Sequence, residues 1–172
     1  AVNTGMLNCD QTVTAPFDLE KVYLTMAVEG TVSGTTSPAV GGPYTYDYGA
    51  VVPIAAFEHT GSAFPGRRTT VVAPGSAATT VIMNGDQTVT ATFDLEKVYL
   101  TMAVDGTGSG TTSPAVGGPY TYDYGAVVPI AAFEDTGSDF TGWSTNVVAP
   151  GSAATTVIMN GDQTVTATFD LE

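Results

Sequence analysis

The sequence predicts an all-β chain of tandem small modules, sandwich-like or grasp-like, joined by continuous strands into a rod. Three observations carry that prediction. Apolar residues alternate with a period of two, and no stretch holds a capped 3.6-residue stripe. Clusters of Gly and Pro punctuate the alternation. A long unit also occurs twice, since Lys21-Val22-Tyr23-Leu24-Thr25-Met26-Ala27-Val28 returns as Lys97-Val98-Tyr99-Leu100-Thr101-Met102-Ala103-Val104, 76 residues on.

Residues 21–96 and 97–172 are thus two copies of one unit. They differ at eight positions: Glu29/Asp105, Val32/Gly108, His59/Asp135, Ala63/Asp139, Pro65/Thr141, Arg67/Trp143, Arg68/Ser144 and Thr70/Asn146. Residues 1–20 are repeat material too. Asp10-Gln11-Thr12-Val13-Thr14-Ala15 and Phe17-Asp18-Leu19-Glu20 match 86–91 and 93–96, and again 162–167 and 169–172. The chain therefore reads as an incomplete unit (1–20), carrying closing strands only, followed by two whole ones. The orphan strands, with Gln11, Val13, Ala15, Phe17 and Leu19 as candidate assembly residues, need a cover for their apolar faces and open edges. Either further polypeptide upstream or a neighbouring subunit supplies it.

Within a unit, Val22, Leu24, Met26 and Val28 mark an opening strand. Further strands are expected at 44–48, 51–58, 69–73 and 78–83, separated by Gly41-Gly42-Pro43, Gly49, Gly61-Ser62 and Pro74-Gly75-Ser76. Asn84-Gly85-Asp86 makes a tight hairpin turn before a closing strand at 87–96. In that strand Val89, Ala91, Phe93 and Leu95 alternate with Thr88, Thr90, Thr92 and Asp94, after which the apolar phase flips to Val98, Leu100, Met102 and Val104. The flip falls at Glu96-Lys97, and no Gly or Pro interrupts 87–104. A bulge or sheet crossover there turns the apolar face toward a second core. A flexible linker needs Gly, Ser or Pro, so its absence predicts a rigid join.

Thr-Val-Ile-Met-Asn-Gly-Asp-Gln-Thr-Val-Thr-Ala-Thr-Phe (80–93 and 156–169) resembles the closing hairpin of the divergent B-repeat of internalins. The resemblance extends to Thr-Ser-Pro (36–38 and 112–114), to Tyr-Asp-Tyr-Gly-Ala-Val-Val (46–52 and 122–128) and to Phe140-Thr141-Gly142-Trp143-Ser144. Unit 1 departs from the pattern, with Phe64-Pro65-Gly66-Arg67-Arg68 where the Trp is expected. The resemblance implies bacterial or archaeal surface and secreted arrays of compact β-modules. It implies no catalysis.

Charge narrows the partners. The net charge is −13 with only four Lys and Arg (Lys21, Arg67, Arg68, Lys97), too few to neutralise a row of phosphates, so nucleic acid is excluded as a partner. No run of 18 apolar residues marks a membrane span, and residues 1–20 lack the charged and apolar regions of a signal peptide, as expected of a mature or excised segment. Cys9 has no partner in the chain; it stands where the other units have Gly85 and Gly161 and is a candidate intermolecular thiol.

No catalytic or cofactor site emerges, and none is expected. Asp135-Thr136-Gly137-Ser138 matches one half of an aspartic-protease signature, but that chemistry needs two carboxylates sharing a proton and the aligned residue is His59. A Gly-Ser turn is the simpler reading. Glu134, Asp135 and Asp139 offer oxygen ligands without the spacing of a calcium loop. Lys21 and Lys97 each follow a Glu, and an amide cross-link from either to Asn or Asp requires a buried carboxylate nearby. The tyrosines are more informative. Tyr44, Tyr46 and Tyr48, repeated as Tyr120, Tyr122 and Tyr124, share one strand face. With Trp143 they are candidates for a partner or polysaccharide surface. The alternative is that one or two rings close the unit's own core while the third packs on the adjoining unit. Six of the eight differences fall in 59–70 and its counterpart 135–146, which reads as a loop or edge where changes cost little.

Together these readings favour a non-catalytic structural module of an extracellular surface protein or filament, with copies of itself or adjoining repeats as partners and head-to-tail strand complementation as a route to assembly. The alternative is an adhesin or carbohydrate-binding repeat of a secreted protein.

Overall fold

The computed structural model describes residues 16–144 and 146–172. Those residues form strands and turns without a helix. Unit 1 contains β1 (Lys21–Gly30), β2 (Gly34–Ser37), β3 (Gly41–Asp47), β4 (Val51–Glu58), β5 (Ser62–Arg68), β6 (Ala78–Ile82) and β7 (Gln87–Leu95). Unit 2 repeats them as β8 (Lys97–Asp105), β9 (Gly110–Ser113), β10 (Gly117–Asp123), β11 (Val127–Glu134), β12 (Ser138–Trp143), β13 (Ala154–Ile158) and β14 (Gln163–Leu171). Each unit has a four-stranded sheet, β3-β1-β7-β5 or β10-β8-β14-β12, and a three-stranded sheet, β2-β4-β6 or β9-β11-β13.

The alternation seen in sequence sets which faces meet. Val22, Leu24 and Met26 of β1 and Val89 of β7 face Val52 and Ile54 of β4 and Val81 of β6, with Met83 closing the layer. Phe93, Ala91 and Ala56 extend this core toward the exit of the unit, where Val32 and Phe64 lean on it. In unit 2 the corresponding side chains make one continuous core. Burying side chains such as Leu24, Met26 and Phe93 stabilises the unit by about 1.5–3 kcal/mol each.

The central pair of the larger sheet is parallel: β1 runs beside β7 from Leu24↔Gln87 to Gly30↔Phe93. Its outer neighbours are antiparallel, β3 on β1 and β5 on β7. A parallel pair needs a long crossover, here the whole stretch from β2 to β6. Gly30 permits a close approach where the pair ends. Its φ is +114°, and a Cβ there would lie 2.0 Å from the Phe93 carbonyl oxygen.

Three boundaries differ from the sequence expectation. A strand stands at 62–68 instead of 69–73, because the turn is short and tight: Ser62 Oγ accepts the His59 N–H at 2.8 Å and donates to the His59 carbonyl at 2.7 Å. Pro65 and Gly66 fall where the β5–β7 register breaks, and β5 is an edge strand that tolerates both. Val71 contributes only an isolated bridge to Val81. Next, β3 starts at Gly41 rather than Tyr44, so Gly41-Gly42-Pro43 is edge strand and not a separator. The four-residue β2, with Thr36 turned inward, carries too little alternation to be seen in sequence.

At Glu96-Lys97 the chain leaves the larger sheet of unit 1 and enters that of unit 2 with Glu96 alone between β7 and β8. Buried residues are odd-numbered in β7 and even-numbered in β8, as the phase flip requires.

Candidate functional site

The join between the units is the most developed arrangement of functional residues. Glu96 is held from both sides: its N–H donates to the Gly61 carbonyl at 2.9 Å, and its carbonyl accepts the Tyr124 N–H at 2.9 Å. The first bond ties it to the β4–β5 turn of unit 1, the second to the β10–β11 turn of unit 2. The Tyr124 ring lies on Gly61, where a Cβ would come within 2.4 Å of its Cδ1. Gly61 has φ +78°, so both backbone and space exclude a side chain. Beside this contact runs an open groove of about 640 Å³ between Glu58, His59, Tyr124 and Asn160.

The tyrosines divide by position. Tyr44 and Tyr46 lean on the core of unit 1, and Tyr120, Tyr122 and the near side of Tyr124 on that of unit 2. Tyr44 donates its hydroxyl to the Ala39 carbonyl at 2.9 Å, and Tyr120 to Ala115 at 3.0 Å. Tyr124 is the junction ring. Tyr48, its counterpart, makes the same backbone bond to the Glu20 carbonyl at 2.8 Å, yet its ring is 50% exposed. Phe17 and Leu19 are 91% and 63% exposed. Gln11, Val13, Ala15 and Cys9 lie outside the described residues.

Trp143 is not a surface ring. It is 6% exposed, meets Phe140 edge-on at 5.4 Å, and donates its indole N–H to the Ser152 carbonyl at 2.9 Å. Arg67 takes the same place in unit 1. It is also 6% exposed, its guanidinium carbon lies 4.8 Å from the centre of the Phe64 ring, and its terminal nitrogens donate to the Ser76 and Ala77 carbonyls at 2.5 and 2.8 Å. The copy-variable segment is therefore part lid of the core and not a free loop, because the bulky planar side chain at this position fills the space beside the 74–77 or 150–153 turn. Arg67 reproduces the stacking and the donor of Trp143 but brings a charge. Its Nε is buried without a hydrogen-bond partner, and burial lowers its pKa from the ordinary arginine value. Sequence reasoning marked Trp143 as the aromatic of the pattern and missed the shared planarity of Arg67.

The remaining candidates are turn and surface groups. Asp135 closes the turn through its carbonyl, which accepts the Ser138 N–H at 3.0 Å. Glu134 caps the start of β12 by accepting the Phe140 N–H at 3.0 Å. His59 faces Ser33 Oγ at 3.4 Å. Lys21–Asp47 and Lys97–Asp123 are cross-strand ion pairs with about half of each side chain in solvent, so screening leaves them little energy. Among the described residues no carboxylate is buried beside either lysine, and no three His, Cys, Asp or Glu side chains converge as metal ligands.

No curated protein matches the chain. A family model described as the divergent InlB B-repeat domain matches it twice, over residues 24–97 and 100–172, and so spans most of both units. Its two matches change over where Glu96-Lys97 joins the sheets. With the repeated two-sheet fold and the motifs at 80–93 and 156–169, this match establishes that the chain belongs to the divergent InlB B-repeat family.

Proposed function

We propose that the chain is a non-catalytic spacer of an extracellular surface protein or filament, in which rigidly joined units set distance and direction. The observation that supports this reading is the Glu96 junction, where one residue is bonded to turns of both units and a ring is packed on a glycine. A one-residue connection held in this way leaves the units little freedom to swivel. Small-angle scattering tests it: an extended particle of uniform length is expected for the native chain. Gly61→Val, which displaces Tyr124, is expected to broaden the distance distribution. A native chain that already samples a wide range of lengths sinks the reading.

Head-to-tail assembly by strand complementation is a second reading, favoured by the exposure of Phe17, whose counterparts Phe93 and Phe169 are buried. Polymers that form equally well after removal of residues 1–20 would count against it. A third reading, a binding repeat, is favoured by the outer face of the three-stranded sheet. Val51, Phe57 and Ile82 in unit 1, and Val127, Phe133 and Ile158 in unit 2, are 47–62% exposed there. Loss of partner or polysaccharide binding in Phe57→Ser plus Phe133→Ser, with unchanged particle length, would favour it over the spacer.

A further inference from the structure

The two strands that connect each unit to the rest of the chain are also the two that pair with each other. The chain enters unit 1 at the start of β1 and leaves at the end of β7, and these strands are parallel neighbours in the middle of the larger sheet. Parallel pairing puts the entering end and the leaving end at opposite ends of the unit. A pull along the chain therefore slides β1 past β7, and every hydrogen bond between Leu24↔Gln87 and Gly30↔Phe93 is strained at once instead of in turn. In unit 2 the same holds for β8 and β14, from Gln163↔Leu100 to Thr168↔Asp105.

Side chains extend the ladder beyond both of its ends. At the entering end Asp86 Oδ1 accepts the Tyr23 N–H at 2.9 Å, and Asp162 accepts that of Tyr99 at 2.9 Å. At the leaving end Asp94 Oδ1 accepts the Thr31 N–H at 3.3 Å, while Thr31 Oγ1 accepts the Leu95 N–H at 3.1 Å. Thr107, Asp170 and Leu171 repeat that exchange at 3.2 Å for both bonds. Each of these contacts joins the first strand of a unit, or the residues just after it, to its closing strand or the turn before it.

We propose that each unit is a mechanical clamp that carries tension along the array through shear of its β1–β7 or β8–β14 pair, with the Asp86/Asp162 and Thr31–Asp94/Thr107–Asp170 contacts as staples. The inference rests on the spacer reading and gives it a physical duty. Tension passes from one clamp to the next through Glu96, so no compliant linker takes up the strain.

Single-molecule pulling on the whole chain tests the clamp. Held at its two ends, the chain is expected to give two unfolding events. Each releases roughly 240 Å, because 76 residues extend to about 270 Å from a folded span of about 35 Å. Held instead at Lys21→Cys and Thr88→Cys in a Cys9→Ser background, β1 and β7 are peeled from one end. The force is then expected to fall severalfold. Equal forces in the two geometries overturn the proposal. Asp94→Ala with Asp170→Ala removes exposed acceptors without touching the cores, and is expected to lower the end-to-end force while leaving the peeling force unchanged. An unaltered end-to-end force removes the staples from the clamp. Scattering separates the two readings. A straight chain with equal forces overturns the clamp alone, and a chain of variable length whose units still resist shear overturns the spacer alone.

Discussion

Arg67 and Trp143 show how one position can be filled by two chemistries with one shape. Each lays a flat group beside a phenylalanine and donates to the carbonyls of the turn that follows. The guanidinium differs in bringing a desolvated charge and an unsatisfied Nε. Such a charge is costly where no carboxylate answers it. Because its pKa in the folded state lies below the unfolded value, this cost is present wherever arginine is protonated and fades only as pH rises through the lowered value into strongly alkaline solution. Arg67→Trp is accordingly expected to stabilise unit 1 by about 1–2 kcal/mol at neutral pH, read from urea unfolding. Trp143→Ala is expected to destabilise unit 2 by about 3–5 kcal/mol. At this scale the sequence was only partly legible. The eight differences were plain, but an arginine among Gly, Pro and Thr reads as surface, and nothing local signals that β5 carries it inward.

Strands with full alternation could be read directly. β1, β4 and β7 have buried side chains at every second residue, Pro53 of β4 falling beyond the stretch that β2 pairs, and the flip from odd to even at Glu96 announced a change of core. The edge strand β6 was read as well, but β3 was read only from Tyr44 onward and β5 was missed. β3 and β5 contain Gly and Pro at positions that would break a central strand, yet each has only one neighbour to satisfy. The tyrosine strand was legible as an amphipathic face with a third ring available to pack on the adjoining unit, as Tyr124 does, but the glycine that receives it, Gly61, lies 63 residues away and carries no local signal. That pairing gives a prediction for the junction element. Tyr124→Ala is expected to loosen the inter-unit angle in scattering while the unfolding midpoint of unit 1 stays put and that of unit 2 falls slightly, since the ring is only partly buried against the unit 2 core. The equivalent change at Tyr48, half exposed, is expected to do neither.

For the whole molecule, near-identical units with unequal lids imply unequal stability. Heating the chain is expected to give two transitions, unit 1 before unit 2. Trp143 fluorescence reports unit 2 alone in the native chain, and Arg67→Trp is expected to bring the two transitions together, checked by calorimetry. A single transition in the native chain would mean that the Glu96 junction couples the units more tightly than the lids differ. Charge is uneven in the same direction, because Asp135 and Asp139 replace His59 and Ala63 and unit 2 lacks Arg67 and Arg68. Added salt is therefore expected to raise the unit 2 transition more than that of unit 1.

The single residue between β7 and β8 also makes length a countable quantity. Since each unit receives the chain at one end and returns it at the other with no linker to retune, inserting or deleting one 76-residue stretch of coding sequence preserves the join and changes reach by a fixed step. The near-identity of the two stretches is what unequal recombination needs in order to make such changes. If the chain is the spacer proposed above, copy number becomes a dial on how far the array holds whatever lies at its tip from whatever lies at its base.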